Sequence, residues 1–193
     1  MSPEERERAL RLARRTLIAS SRHEPLPAPA DALAEGALAE GTLAEPRACF
    51  VTLRLREGGA LRGCIGTLEP HAPLAETIVQ MTHAAAMRDS RFRSVEAWEP
   101  PGLRIEISVL TPSVPLEDPR ALIVGEHGLV VRYGERRGLL LPQVAQEQGW
   151  DRETFLAETC RKAGLDPQRW RDPETKIEVF RAECFGEEAG PRA

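Results

Sequence analysis

Lysine is almost missing from this chain: Lys162 and Lys176 are the only two among 193 residues, so arginine carries nearly all of the cationic charge. Together with abundant alanine, glycine and proline, this has the character of a genomic composition bias, and no single arginine is by itself a functional clue. Long apolar runs are missing too; nothing approaches the roughly 20 apolar residues that a membrane-spanning helix needs. The chain opens Met1-Ser2-Pro3-Glu4-Glu5-Arg6, charged from the start and without an apolar signal region. The expectation is a cytoplasmic protein that does not enter membranes. An excess of positive charge is also lacking. The formal net charge is −4, which argues against a general binder of nucleic acid or of anionic lipid.

The cysteines do not form pairs. Cys49, Cys64, Cys160 and Cys184 include no C-x-x-C, and no Cys/His cluster has zinc spacing. In a reducing compartment they should be free thiols, so that any chemistry would fall to an individual one. His71, His83 and His127 have no second ligand at a recognisable metal spacing. Phosphate-binding loops, dinucleotide fingerprints, Gly-x-Ser-x-Gly elbows and aromatic-basic nucleic-acid motifs are all missing. On these grounds neither a metal nor another cofactor is expected.

What is present is ordinary globular material, 41% hydrophobic and 29% charged. Residues 2–22 predict a helix: Ser2 caps it, Pro3 suits its first position, Glu5 completes a capping box, and Leu10, Ala13, Leu17 and Ile18 form an apolar stripe. Residues 24–46 change character. Three prolines precede a short Ala-Leu-Ala-Glu-Gly repeat, which reads as a surface excursion. Residues 48–56 and 60–68 predict a hairpin about Gly58-Gly59. A helix follows from Pro73 to about Arg88, and then a cleanly alternating strand over 103–110. Short strands are expected at 121–124, 129–133 and 138–141, the last stopped by Pro142. A helix capped by Asp151 runs to about Ala163, a final strand covers 175–185, and a frayed tail occupies 187–193. Turns separate the strands more often than crossover helices do, which predicts an α+β protein with an antiparallel or mixed sheet.

The sharpest motif is Leu61-Arg62-Gly63-Cys64-Ile65-Gly66. Two glycines in a strand are tolerated where another backbone or a ligand must come close. Alternation would put Arg62 and Cys64 on one face, where the cation favours the nucleophilic thiolate. The packing alternative is the stronger reading of the residues alone. With the loop centred on Gly58-Gly59, Cys64 pairs with Leu53 and Arg62 with Leu55, among apolar side chains that render a thiol inert. A one-residue slip sets Arg54 opposite Cys64 instead. Glu106 and Ser108 lie on the polar face of their strand; if that face is covered, Glu106 becomes a candidate acid/base. Asp89 and Arg91 after the helix end either lock a loop or line a pocket.

Leu61–Gly66 resembles the hallmark strand of the AMMECR domain family, whose bacterial and archaeal members are called AmmeMemoRadiSam system protein A. Phe50-Val51-Thr52-Leu53, Thr67-Leu68-Glu69-Pro70, the block from Ala85 to Phe92, Glu106 to Pro112, Gly138 to Val144 and Cys160 to Leu165 resemble it as well. Ser90 stands where the family usually has proline, and the excursion looks longer than the family usually carries. The resemblance runs from the first helix to about Phe185. It implies a single domain of two lobes, a larger α+β lobe with an antiparallel sheet and flanking helices and a smaller strand-rich lobe, with the Cys64 strand near the groove between them. It also implies partnership with a Memo-type protein and a radical-SAM enzyme.

The reading that follows is an enzyme, or the catalytic half of one, acting on a small molecule or modified residue. In it Cys64 is the nucleophile, Arg62 holds an anionic group or the thiolate, and Glu106 is the acid/base. Gly63, Gly66, Asp89, Arg91 and Ser108 shape the site. The alternative is a non-catalytic adaptor for the same two partners. A nucleic-acid factor ranks behind both.

Overall fold

Helix α1 (Pro3–Ser21) begins as its sequence predicts. Ser2 Oγ accepts from the Glu5 amide at 3.2 Å, and Glu5 returns a carboxylate oxygen to the Ser2 amide at 2.7 Å. This reciprocal cap satisfies two of the donors that a helix start leaves over. Leu12 and Leu17 are buried against helix α2 (Leu74–Met87), whose Leu74 and Ile78 face the same core. Both helices belong with a four-stranded sheet in the order β2-β1-β3-β8: β1 (Cys49–Leu55), β2 (Leu61–Gly66), β3 (Leu103–Leu110) and β8 (Ala182–Gly186). Strand β1 pairs antiparallel with both β2 and β3. Val51, Leu53, Ile105 and Ile107 are fully buried in the core the helices share. Strand alternation then sends Phe50, Thr52, Arg54, Arg104, Glu106 and Ser108 to the opposite face.

The computed structural model describes residues 1–30 and 41–188. The chain divides into two compact units, the first made of residues 1–109 and the chain from 184 onward, the second of residues 110–183. The second unit has its own antiparallel sheet in the order β4-β7-β5-β6: β4 (Val114–Pro115), β7 (Lys176–Phe180), β5 (Gly128–Tyr133) and β6 (Arg136–Leu140). Helices α3 (Pro142–Glu147) and α4 (Arg152–Lys162) complete it, and Leu122, Leu129, Phe155 and Leu156 form its buried centre. The α+β class with antiparallel sheets is therefore observed. Among the described residues no helix is long and apolar enough to cross a membrane.

Several boundaries differ from expectation, each for a local reason. The strand expected at 121–124 does not form: a 3-10 turn capped by Asp118 occupies Pro119–Ala121, and 122–124 continue as irregular chain into a turn. Pro142 does not merely stop a strand; it occupies the first position of α3, where its missing N–H costs nothing. The expected single strand over 175–185 is two strands, β7 and β8, which break at Arg181 and join different sheets.

Both ends of the supposedly loose material are tied down where they are described. Part of the 24–46 excursion, residues 31–40, lies outside the described residues. Its end, however, is built into the first unit. The Leu43 and Glu45 carbonyls accept from the Ala75 and Leu74 amides, at 3.0 and 2.9 Å, and so serve the start of α2. Thr42 donates its amide to Glu5 at 2.7 Å. Glu187, at the start of the expected tail, bonds Ile105 through its own amide at 3.0 Å and takes a bidentate pair from Arg14; residues 189–193 lie outside the described residues. Leu43 is 1% exposed within the main core. Leu43→Ala should therefore cost about 2–5 kcal/mol, measured by urea unfolding, and a loss below about 1 kcal/mol would contradict the packing of the Leu43 segment into the core.

Candidate functional site

The site begins with the turn between β1 and β2. Gly58 and Gly59 both have positive φ, 72° and 69°, a backbone region in which side chains with a Cβ are strained. The hairpin forms as predicted, but its register matches neither of the expected pairings. Thr52 faces Cys64, Leu53 faces Gly63 and Arg54 faces Leu61, leaving Arg62 as the extra residue of a bulge. The bulge interrupts the regular ladder at Arg62. Gly63 falls on the core side and Cys64 on the polar side with Thr52.

That register explains the glycines. A Cβ on Gly63 would lie 2.3 Å from the Ala85 carbonyl oxygen of α2, and one on Gly66 would lie 2.3 Å from the Phe50 ring. The first glycine lets the helix backbone touch the sheet. The second lets an aromatic ring fold over the opposite strand. Both requirements are met within the first unit.

Arg62 does not reach the thiol as expected. Its guanidinium makes a bidentate pair with Glu99, at 2.8 and 2.9 Å, and donates to the Arg93 carbonyl at 2.9 Å. The cation at Cys64 is instead Arg91, whose Nη2 donates to the Cys64 carbonyl at 3.1 Å. Asp89 completes the grip, accepting the Cys64 amide on Oδ2 at 2.8 Å while Arg91 binds both carboxylate oxygens, at 2.9 and 2.7 Å. Strand β2 is an edge of its sheet, and this pair supplies the acceptor and donor that a further strand would have offered. Asp89 and Arg91 thus fix the strand that carries the thiol. Hydrogen bonds from Arg91 hold the Asp89 carboxyl well below the usual carboxylate range, the Cys64 and Arg91 amides adding to this against the opposing effect of burial. The Arg91 guanidinium is pushed up in turn, chiefly by Asp89.

On the polar face Thr52 Oγ1 donates to Cys64 Sγ at 3.3 Å. Thr52 lies between Cys64 and Glu106 in one cross-strand row, so two strand spacings, about 10 Å, separate the thiol from the carboxylate backbone. The structure does not bring the two predicted catalytic residues together. Glu106 is held from both sides, by Arg54 at 3.1 Å and Arg104 at 3.0 Å. Ser108, also predicted, is buried, and its hydroxyl lies 3.2 Å from the sulfur of the exposed Cys184. All four cysteines are free; Cys49 is buried and its thiol pushed up to about 12, and burial raises Cys160 as well. Among the described residues no group of three or more His, Cys, Asp or Glu side chains is placed to hold a metal ion.

Thr52 and Glu99 went unnoticed in the sequence. Finding Thr52 needs the bulge, and finding Glu99 needs the fold of the loop after α2, neither of which leaves a local signature.

A family model described as AMMECR1 matches residues 10–185. A protein of Thermococcus gammatolerans is 49% identical over 152 residues, covering 75% of this chain and 74% of its own length. One of Methanothermobacter thermautotrophicus is 47% identical over 148 residues, with 74% and 76% covered. The crystal structure of an uncharacterised protein from Pyrococcus horikoshii matches with a TM-score of 0.86 at 41% identity, over 97% of this chain and 94% of that one.

The Asp89 geometry has a measurable pH consequence. A carboxylate whose folded pKa is depressed stabilises the fold above the ordinary carboxylate pKa, and that stabilisation is lost as pH falls. Asp89 is 5% exposed. Asp89→Asn should lower stability at neutral pH by about 1–3 kcal/mol and flatten the acid limb between about pH 5 and about pH 2. Urea unfolding across that range checks it; parallel acid limbs in the two proteins would contradict the assignment.

Proposed function

The chain belongs to the AMMECR1 family, and from that premise we propose that it acts through the Cys64 thiol, as an enzyme or catalytic component that takes a small molecule or a modified residue. The observation that carries this reading is the Cys64 environment. A half-buried sulfur receives a hydroxyl hydrogen bond from Thr52, on a strand clamped at that same residue by Asp89 and Arg91. The Thr52 hydroxyl fixes the direction in which the sulfur is held on the polar face. The clamp removes backbone freedom, so a reacting atom would meet a sulfur in a defined place.

In this proposal Cys64 is the nucleophile or covalent anchor, Thr52 orients its sulfur, and Arg91 is the cation beside the residue in place of Arg62. Glu106 is too far from the sulfur for direct proton transfer; with Arg54 and Arg104 it forms a charged neighbourhood that suits a polar substrate. The Memo-type protein and the radical-SAM enzyme implied by the resemblance belong to the same proposal, as partners that deliver or consume what Cys64 holds. One observation favours the alternative of a non-catalytic interaction module: Gly63 and Gly66 are both required by packing, so the glycine signature does not need a ligand to explain it.

Site-resolved iodoacetamide labelling of the native protein, followed by mass spectrometry from about pH 6 to about pH 9, decides between them. Cys64 should label ahead of the buried Cys49 and Cys160. Thr52→Val should slow Cys64 on the order of threefold by removing the hydroxyl donor, whereas Arg62→Ala should leave its rate unchanged. Labelling of Cys64 only after unfolding would end the thiol proposal in favour of the interaction module.

A further inference from the structure

The loop that follows α2 forms one wall of a cavity of about 380 Å³ in the first unit, lined by Arg62, Arg91, Arg93, Glu96, Trp98 and Glu99 among others. Its floor is already satisfied. Arg62 and Glu99 neutralise each other in a bidentate pair, and a Glu99 oxygen also takes the Glu96 amide at 2.9 Å. Its rim is not. Arg91 uses Nε and Nη2 on Asp89 and Cys64, which leaves Nη1 over. Arg93 lines the same cavity and is exposed, with its charge close enough to Glu99 to act on that carboxylate.

The second feature is Trp98. It is 74% exposed, the most exposed large apolar side chain among the described residues. An indole left in water forgoes the burial that usually justifies its size. Its orientation is nonetheless restrained, because Nε1 donates to Glu96 Oε2 at 3.0 Å while Glu96 is itself tied to Glu99. The ring is thus held by its polar edge beside the cavity, with its apolar surface unused.

We infer that this cavity binds a small aromatic ring carrying a carboxylate or phosphate group, the ring against Trp98 and the anion on Arg93 and the free nitrogen of Arg91. Guanidinium groups match both anions by parallel N–H donors. An indole face takes a planar ring by stacking, with little sequence or substituent demand. The volume lies within the usual range for small-molecule sites, about 300–1,000 Å³. The inference uses no property of the Cys64 sulfur; Arg91 is the one residue it shares with the thiol proposal.

The test uses fragments on the intact chain. Phenyl phosphate and benzoate are titrated against the ¹⁵N-labelled protein, with phenol and inorganic phosphate as the ring-only and anion-only controls. The three indole N–H signals are followed, that of Trp98 being identified by its loss in Trp98→Phe. The Trp98 signal should move on addition of phenyl phosphate or benzoate, with saturation at concentrations at least about fivefold lower than for phenol or inorganic phosphate. Arg93→Ala should weaken binding on the order of fivefold, Trp98→Ala by a similar factor as read from backbone amide shifts, and Cys64→Ser should leave it unchanged. A stronger response to phosphate than to carboxylate, or the reverse, identifies which anion the site prefers. If phenol binds as well as phenyl phosphate and benzoate, if Arg93→Ala has no effect, or if only Trp150 or Trp170 responds, the inference is wrong.

Discussion

A carboxylate placed at the open edge of a sheet organises the first unit around Cys64. Strand β2 ends its sheet and would otherwise present an unpaired amide and carbonyl at that residue. Asp89 takes the amide, Arg91 takes the carbonyl, and the two side chains bind each other through two hydrogen bonds. A buried carboxylate is costly unless its charge and its lone pairs are both met, and here both are. The same contacts dock the loop after α2 onto the strand, and that loop goes on to supply Arg93, Trp98 and Glu99. Thiol, cavity and loop therefore rest on one ion pair.

The bulge at Arg62 is the second constraint. Without it, the register set by the Arg54–Leu61 pair would bring Cys64 opposite Val51. With it, Gly63 meets the α2 backbone, Cys64 meets Thr52, and the Arg62 side chain is directed to Glu99. The geometry separates a packing role from a chemical one within a single hexapeptide. The glycines serve the contact between sheet and helix, while the cysteine lies on the polar side.

Arginine does structural work in this chain that lysine would do poorly. Arg14 binds both oxygens of Glu187 and also the carbonyls of Pro100 and Leu103, at 2.6 and 2.8 Å. Arg62 joins Glu99 to two loop carbonyls. Each arrangement uses the planar fork of the guanidinium, which an ammonium group lacks. Composition hid these roles, because an excess of one residue type lowers the information carried by any one example of it.

The sequence by itself determined the elements whose causes are local. Ser2, Pro3 and Glu5 specify the start of α1, and Gly58-Gly59 specifies a hairpin because both positions demand positive φ. The alternation of 103–110 specifies a strand with Ile105 and Ile107 inside and Glu106 outside. The ordered blocks around Leu61–Gly66 pointed to the family. What only the tertiary structure decided is everything that depends on one residue of register or on contacts distant along the chain. A single extra residue in β2 exchanges the neighbours of Cys64, and no pattern in the hexapeptide reveals it. Glu99 meets Arg62 across 37 positions, Glu187 meets Arg14 across 173, and Leu43 is buried although its repeat looks like surface material. Local preference is a sum over neighbours in sequence, whereas these contacts are chosen by packing and charge pairing once the chain has closed on itself.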